Sequence, residues 1–168
     1  MMIILISGSS NFIANDQANI QDNARKLANN LQAALNDENE LNEVLGMIKY
    51  CSQSQSAVLP YFLEELCSLI SHESKPIRNQ AYDLFIKLLR FDPTLSHQLV
   101  VPYIGCLESN DASIAGHAIE KMPDVAPFAQ EHLETLLTTA FNLGLYSSLE
   151  VVNPICDTLT LMNGLSGY

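Results

Sequence analysis

The sequence predicts an all-α protein, an α-α superhelix (a helical solenoid) of about four antiparallel helix pairs. Three observations carry this. Apolar residues recur with helical period through nearly everything after residue 16, no alternating strand pattern survives beyond the first six residues, and a helix–turn–helix unit recurs.

The elements follow in order. Ile20, Ala24, Leu27, Ala28, Leu31 and Leu35 make a first stripe, stopped by the polar run Asn36-Asp37-Glu38-Asn39. Leu41, Val44, Leu45, Ile48 and Cys51 make a second, closed by Ser52 to Ser56. Leu59, Phe62, Leu63, Leu66, Leu69 and Ile70 make a third. Ile77, Ala81, Leu84, Phe85 and Leu88 make a fourth after Pro76, a residue suited to a first helical turn. Phe91-Asp92-Pro93 breaks the chain, because a proline disfavours helix in the residue before it. A fifth helix runs from about Leu95 to Leu107 with a kink or a start expected at Pro102, which lacks the N–H. A sixth, Ile114 to Met122, has Asp111 and Ser113 as capping candidates. The seventh, about Phe128 to Asn142, carries His132 in a wide apolar stripe and Gly144 as its expected cap. The eighth spans roughly Ser148 to Met162 around Pro154.

The expected pairs are 17–35 with 41–52, 57–71 with 76–90, 95–108 with 112–122, and 127–142 with 148–162. Residues 1–16 read as an irregular N-terminal segment and 17–168 as a single helical-repeat domain. Met1 to Ile6 is apolar but ends at Ser7-Gly8-Ser9-Ser10. That is short of the about 7–15 apolar residues of a signal peptide and the roughly 20 of a spanning helix. No membrane partner is expected.

The repeat rests on particular residues. Val58-Leu59-Pro60-Tyr61-Phe62 recurs as Val100-Val101-Pro102-Tyr103-Ile104, an offset of 42, and Ile77 with Ala81 recurs as Ile114 with Ala118, an offset of 37. Ser74-Lys75-Pro76-Ile77-Arg78-Asn79-Gln80-Ala81 resembles the second-helix start of a HEAT or armadillo repeat. Such repeats run about 40–47 residues and bury their leucines against neighbouring pairs. The small Ala81 and Ala118 would let paired helices approach closely. The alternative is a compact helical bundle.

Composition bounds the function. Eight Lys+Arg against nineteen Asp+Glu give a net charge of −11, which argues against a general phosphate-backbone binder. Hydrophobic residues make up 48% of the chain, so it has the means to fold a core. No phosphate-binding glycine loop, GxSxG elbow or HExxH motif occurs. Cys51, Cys67, Cys106 and Cys156 lie 16, 39 and 50 residues apart, with no zinc-type spacing. They read as reduced core thiols. No metal, cofactor or catalytic residue is expected. His132, beside Glu131, and His117 read as buried histidines rather than bases; a hydrolase built on His132 is the enzymatic alternative.

The candidate protein-contact surface is Lys75, Arg78, Lys87 and Arg90, four of the eight basic residues, all on one helix. Lys75, Lys87 and Arg90 share the face opposite Ile77, Leu84 and Leu88, while Arg78 borders the apolar stripe. The alternatives are a solvated face or a nucleic-acid-binding one. Residues 122–168 hold no Lys or Arg but five carboxylates, Asp124, Glu131, Glu134, Glu150 and Asp157, which favours a basic partner at that end. Apolar residues at both ends, Met1 to Ile6 and Leu159, Leu161, Met162 and Leu165, predict an exposed apolar patch through which the chain could self-associate.

A closer resemblance lies in Ala115-Gly116-His117-Ala118-Ile119-Glu120-Lys121-Met122-Pro123, Pro127-Phe128-Ala129-Gln130-Glu131-His132 and the helix Ile155 to Met162. Residues 95–168 resemble the C-terminal region of the Integrator complex subunit 1 family. The resemblance implies a nuclear, non-catalytic scaffold binding other protein subunits of a large complex. That complex acts with RNA polymerase II in small nuclear RNA 3′-end processing and transcription termination. The net charge leads us to expect no direct nucleic-acid contact. The alternative is a cytoplasmic HEAT-repeat scaffold of a coat or transport complex, which shares every physical feature above.

Overall fold

The computed structural model describes the backbone of residues 5–145 and 149–165, and the side chains of residues 18–143, 153–161 and 164. Among the described residues the chain is helical throughout, with no strand. It divides into two compact units, Met1–Phe62 and Leu63–Tyr168.

In the first unit, α1 (Leu5–Ala34) packs on α2 (Glu38–Ser54). Asp37 starts α2: its carboxylate accepts from the backbone N–H of Asn39 (2.9 Å) and of Glu40 (3.1 Å), satisfying two otherwise orphaned donors. Ala24, Leu27, Leu31 and Ala34 on α1 face Leu41, Val44, Leu45 and Ile48 on α2, and all eight are buried. Leu35, assigned to the stripe by period, falls beyond the last helical residue and is exposed. The helix also takes in residues 5–16, where the sequence suggested irregular chain. The side chains of Met1 to Ile6, expected to form an apolar patch, lie outside the described residues.

The stripe Leu59 to Ile70 is not one α-helix. Ser56–Phe62 forms a 3-10 helix containing Pro60, and α3 (Leu63–Leu69) follows in the second unit. Proline removes a backbone donor, and the tighter turn still buries Val58, Leu59 and Phe62 completely. The local difference separates two positions that the repeat equates. Tyr61, in the 3-10 segment, is exposed, while Tyr103, in an α-helix, is buried and donates to the Ala118 carbonyl at 2.7 Å.

The second unit continues with α4 (Lys75–Phe91), α5 (Ser96–Leu107), α6 (Ala112–Glu120), α7 (Met122–Val125), α8 (Leu133–Leu145) and α9 (Leu149–Leu165). Pro76 occupies the first turn of α4, and the chain breaks after Phe91, where Pro93–Leu95 forms a short 3-10 turn. Asp111 caps α6, accepting from Ser113 N–H at 2.8 Å and Ile114 N–H at 3.2 Å. α5 runs through Pro102 without starting there. Gly144 lies inside α8 rather than capping it, and no described glycine has a positive φ. The expected seventh helix loses its first turn: Ala126–Phe128 and Gln130–His132 are 3-10 turns that precede α8.

Helices adjacent in sequence pack together, α3 on α4, α5 on α6 and α8 on α9, and α9 also reaches α6 and α7. α4 is the most enclosed, with nine of its residues buried, including Ile77, Tyr82, Leu84, Phe85 and Leu88. Ala81 and Ala118 are fully buried, as the repeat register requires. Ala81→Leu is therefore expected to cost about 1–3 kcal/mol by overpacking. At roughly 2–4 °C per kcal/mol for a chain of this size, a thermal melt reads this easily. An unchanged melting temperature would show that the register is wrong.

All four cysteines are free, but only Cys106 is buried. Cys156 is exposed because Ile155 and Thr158 take the inward face of α9, so it is not the core thiol that periodicity suggested. Burial pushes the half-buried Cys67 thiol up to about 11 and raises that of Cys106 as well.

Candidate functional site

The four basic residues expected to form one surface separate in the structure. Lys75 is exposed in the first turn of α4. Lys87 is half-buried and already engaged. Arg90, in the last turn, is exposed and paired with Asp124 at 2.7 Å. Such a pair is worth little, about 0–1 kcal/mol, but it fixes where that guanidinium points.

Arg78 leaves the surface altogether. Its residue exposure is 0%, which corrects its assignment to the contact face. The helical wheel puts it at the border of the apolar stripe, and α4 is covered on that side too. Its Nη1 donates to the carbonyls of His72 (2.7 Å) and Glu73 (2.9 Å), in the turn before α4. Its Nη2 donates to Ser113, to the hydroxyl at 2.5 Å and the carbonyl at 3.3 Å, in the first turn of α6. Its Nε donates to His117 Nδ1 at 3.3 Å. One planar fork thus ties the α3–α4 turn to the start of α6. Arginine suits this because its donors are rigidly arrayed and its weakly hydrated charge tolerates burial. The charge is met by carbonyl dipoles and a hydroxyl.

His117 is the second member of this cluster. Accepting from Arg78 at Nδ1 leaves its proton on Nε2, which is buried without a hydrogen-bond partner. The imidazole instead lies edge-on to Tyr82, ring centres 4.9 Å apart at 64°. Tyr82 meets Phe85 and Tyr103 edge-on as well, and its hydroxyl lies near the Cys106 thiol without hydrogen-bond geometry. Burial first, with the neighbouring cations Lys121, Arg78 and Lys75, pushes the His117 pKa down to about 4. This agrees with the reading of a buried histidine, although its partner is a guanidinium rather than a carbonyl.

The sign of the pH dependence follows. The unfolded chain takes up a proton near pH 6.5, and the folded one only near 4. Stability is thus fully present above 6.5 and lost progressively as the pH falls to about 4. His117→Phe, which cannot protonate, is expected to flatten the melting-temperature profile across that window. An equally steep profile in the variant would contradict the assignment.

His132 sits half-exposed in the 3-10 turn Gln130–His132, not on the apolar face of a helix. Among the described residues no group of three His, Cys, Asp or Glu side chains could hold a metal ion, and no helix is long and apolar enough to cross a membrane.

Residues 27–130 match the family described as Integrator complex subunit 1, R4 domain. The chain belongs to this family. The matched span contains Arg78 and every group it bonds, from His72 to His117. It begins within α1 and stops before α8, so the family character extends further toward the N-terminus than the resemblance over 95–168 suggested. Integrator complex subunit 1 of Homo sapiens is 27% identical over 124 residues, 74% of this chain and 6% of the relative. The Mus musculus protein of the same name is 26% identical over 121 residues, 72% of the chain and 6% of the relative. That of Drosophila melanogaster is 33% identical over 107 residues, 60% of the chain and 5% of the relative. The chain therefore spans about one-twentieth of the length of these curated relatives.

The Arg78 bridge is the feature that the sequence reading missed. Its signal was present: an arginine beside the stripe residue Ile77, one turn after a proline-led helix start, with a serine and a histidine at the start of the next repeat.

Proposed function

We propose that this chain is a non-catalytic protein–protein interaction scaffold, a HEAT-type helical solenoid within the Integrator complex. In that setting it works in the nucleus with RNA polymerase II, in small nuclear RNA 3′-end processing and transcription termination. The observation that carries this is the family match over residues 27–130. The rest is consistent with it. The titratable groups drawn together in the core, Arg78, His117 and Tyr82, are spent on joining helices, and a net charge of −11 suits protein partners better than a phosphate backbone. Of the expected basic contact surface, the exposed Lys75 and Arg90 and the half-buried Lys87 on α4 remain proposed contact residues, and the buried Arg78 does not.

The test is affinity purification of the tagged 168-residue chain from nuclear extract, with mass spectrometry of what it retains. Recovery of other Integrator subunits is the expected outcome. Recovery of vesicle-coat or nuclear-import proteins in their place would overturn the reading.

A further inference from the structure

At the C-terminal end of the second unit, α8 and α9 enclose a groove of about 370 Å³, lined by Leu137, Thr138, Ala140, Phe141, Ile155 and Leu159. The groove is apolar and open at its rim. Of its lining, Phe141 is 66% exposed and Leu159 42%. Large apolar side chains exposed together mark a surface that something covers.

The charge around the groove says what kind of partner suits it. Glu134 stands three, four and seven residues before Leu137, Thr138 and Phe141, on the same face of α8, and it is exposed. Glu131, also exposed, lies in the preceding 3-10 turn. Residues 122–168 supply no lysine or arginine to neutralise them, and the nearby carboxylate that does have a guanidinium, Asp124, takes it from Arg90.

We infer that the groove receives the apolar face of a short amphipathic helix from another protein, with Lys or Arg flanking that face to meet Glu131 and Glu134. Two packed helices present holes at the spacing of i, i+3, i+4 side chains, which is how a third helix docks. A small apolar ligand fits less well, because its orientation needs convergent polar groups and the lining offers one hydroxyl, that of Thr138. A second copy of this chain brings its own −11 charge to an acidic rim. The inference rests on the protein-docking reading above and specifies the partner's chemistry.

The test uses the full chain as bait against a displayed library of helix-forming 16-residue peptides. The peptides share a Leu/Ile stripe, and their flanking positions are randomised among Lys, Arg, Glu, Asp and Ser. Three baits are compared: the native chain, Phe141→Asp, and the double variant Glu131→Lys with Glu134→Lys, each checked for native helicity. The native chain is expected to enrich Lys/Arg-flanked peptides over Glu/Asp-flanked ones by roughly three- to tenfold, the effect of two favourable rim pairs. The preference should reverse with the double variant, whose exposed positions leave folding intact, and all enrichment should vanish with Phe141→Asp. Three results would overturn the inference: enrichment indifferent to flanking charge, none above the Phe141→Asp bait, or a concentration-dependent dimer that this substitution abolishes. None of these touches the nuclear purification, so the scaffold reading and the groove can fail separately.

Discussion

The Arg78→Ala variant is expected to lose on the order of 3–5 kcal/mol, the combined cost of several lost charge-assisted hydrogen bonds and of truncating a large, fully buried side chain. The substitution strips the carbonyls of His72, Glu73 and Ser113 of their guanidinium donors, and it leaves His117 Nδ1 unpaired as well. The buried His117 Nδ1 carries a desolvation penalty of about 1–3 kcal/mol, whereas the part-buried carbonyls lose their charge-assisted bonds but are more open to water. Against a total stability of about 5–15 kcal/mol for a domain, such a loss leaves little margin. Arg78→Lys is expected to rescue it poorly, since a point-like ammonium on a flexible stem cannot span the α3–α4 turn and Ser113 together. Urea melts of the three proteins at pH 7 measure this. A loss below about 1 kcal/mol for Arg78→Ala would mean that the fork is incidental to the fold.

Phe85→Ala is expected to cost about 3–5 kcal/mol through the cavity it leaves. Phe85 is fully buried on α4, and its ring meets Tyr82 edge-on at 6.2 Å and 74°. Tyr82 in turn contacts both His117 and Tyr103, so the lost ring also removes support from the neighbours of the Arg78 bridge. Phe85→Leu, which keeps most of the volume, is expected to cost less than about 1.5 kcal/mol. The same urea melts compare the two, and equal losses would point to lost aromatic contacts rather than volume as the cause.

Local chemistry was legible in the sequence, and enclosure was not. Asp111 announced a helix start because a short carboxylate before an apolar-periodic run has few other uses, and it caps as expected, while Asp37, read only as part of a polar break, caps α2 in the same way. Pro76 and the Phe91-Asp92-Pro93 break set the ends of α4 for equally local reasons. Arg78 was read as a border residue because a wheel drawn for one helix knows only its own stripe. Its burial depends on the α3–α4 turn and α6 arriving from elsewhere in the chain. His132 was misplaced for a related reason. The apolar period continues through residues 128–137, but Pro127 and the two 3-10 turns interrupt the helix that would have made it a face. Leu159 and Leu161 lie some 200° apart on one helix, which a single packing partner cannot cover, and both are exposed; Leu159 lines the groove between α8 and α9.

The proposed scaffold role requires that this region of the Integrator complex subunit 1 family hold other subunits in the complex. The most direct measurement replaces the full-length relative in cells with a form lacking the segment matched by residues 27–130, then quantifies the Integrator subunits that co-purify with it. The account predicts that one or more subunits are lost from the purified complex while the truncated protein itself stays abundant. A complex of unchanged composition and stoichiometry would contradict it.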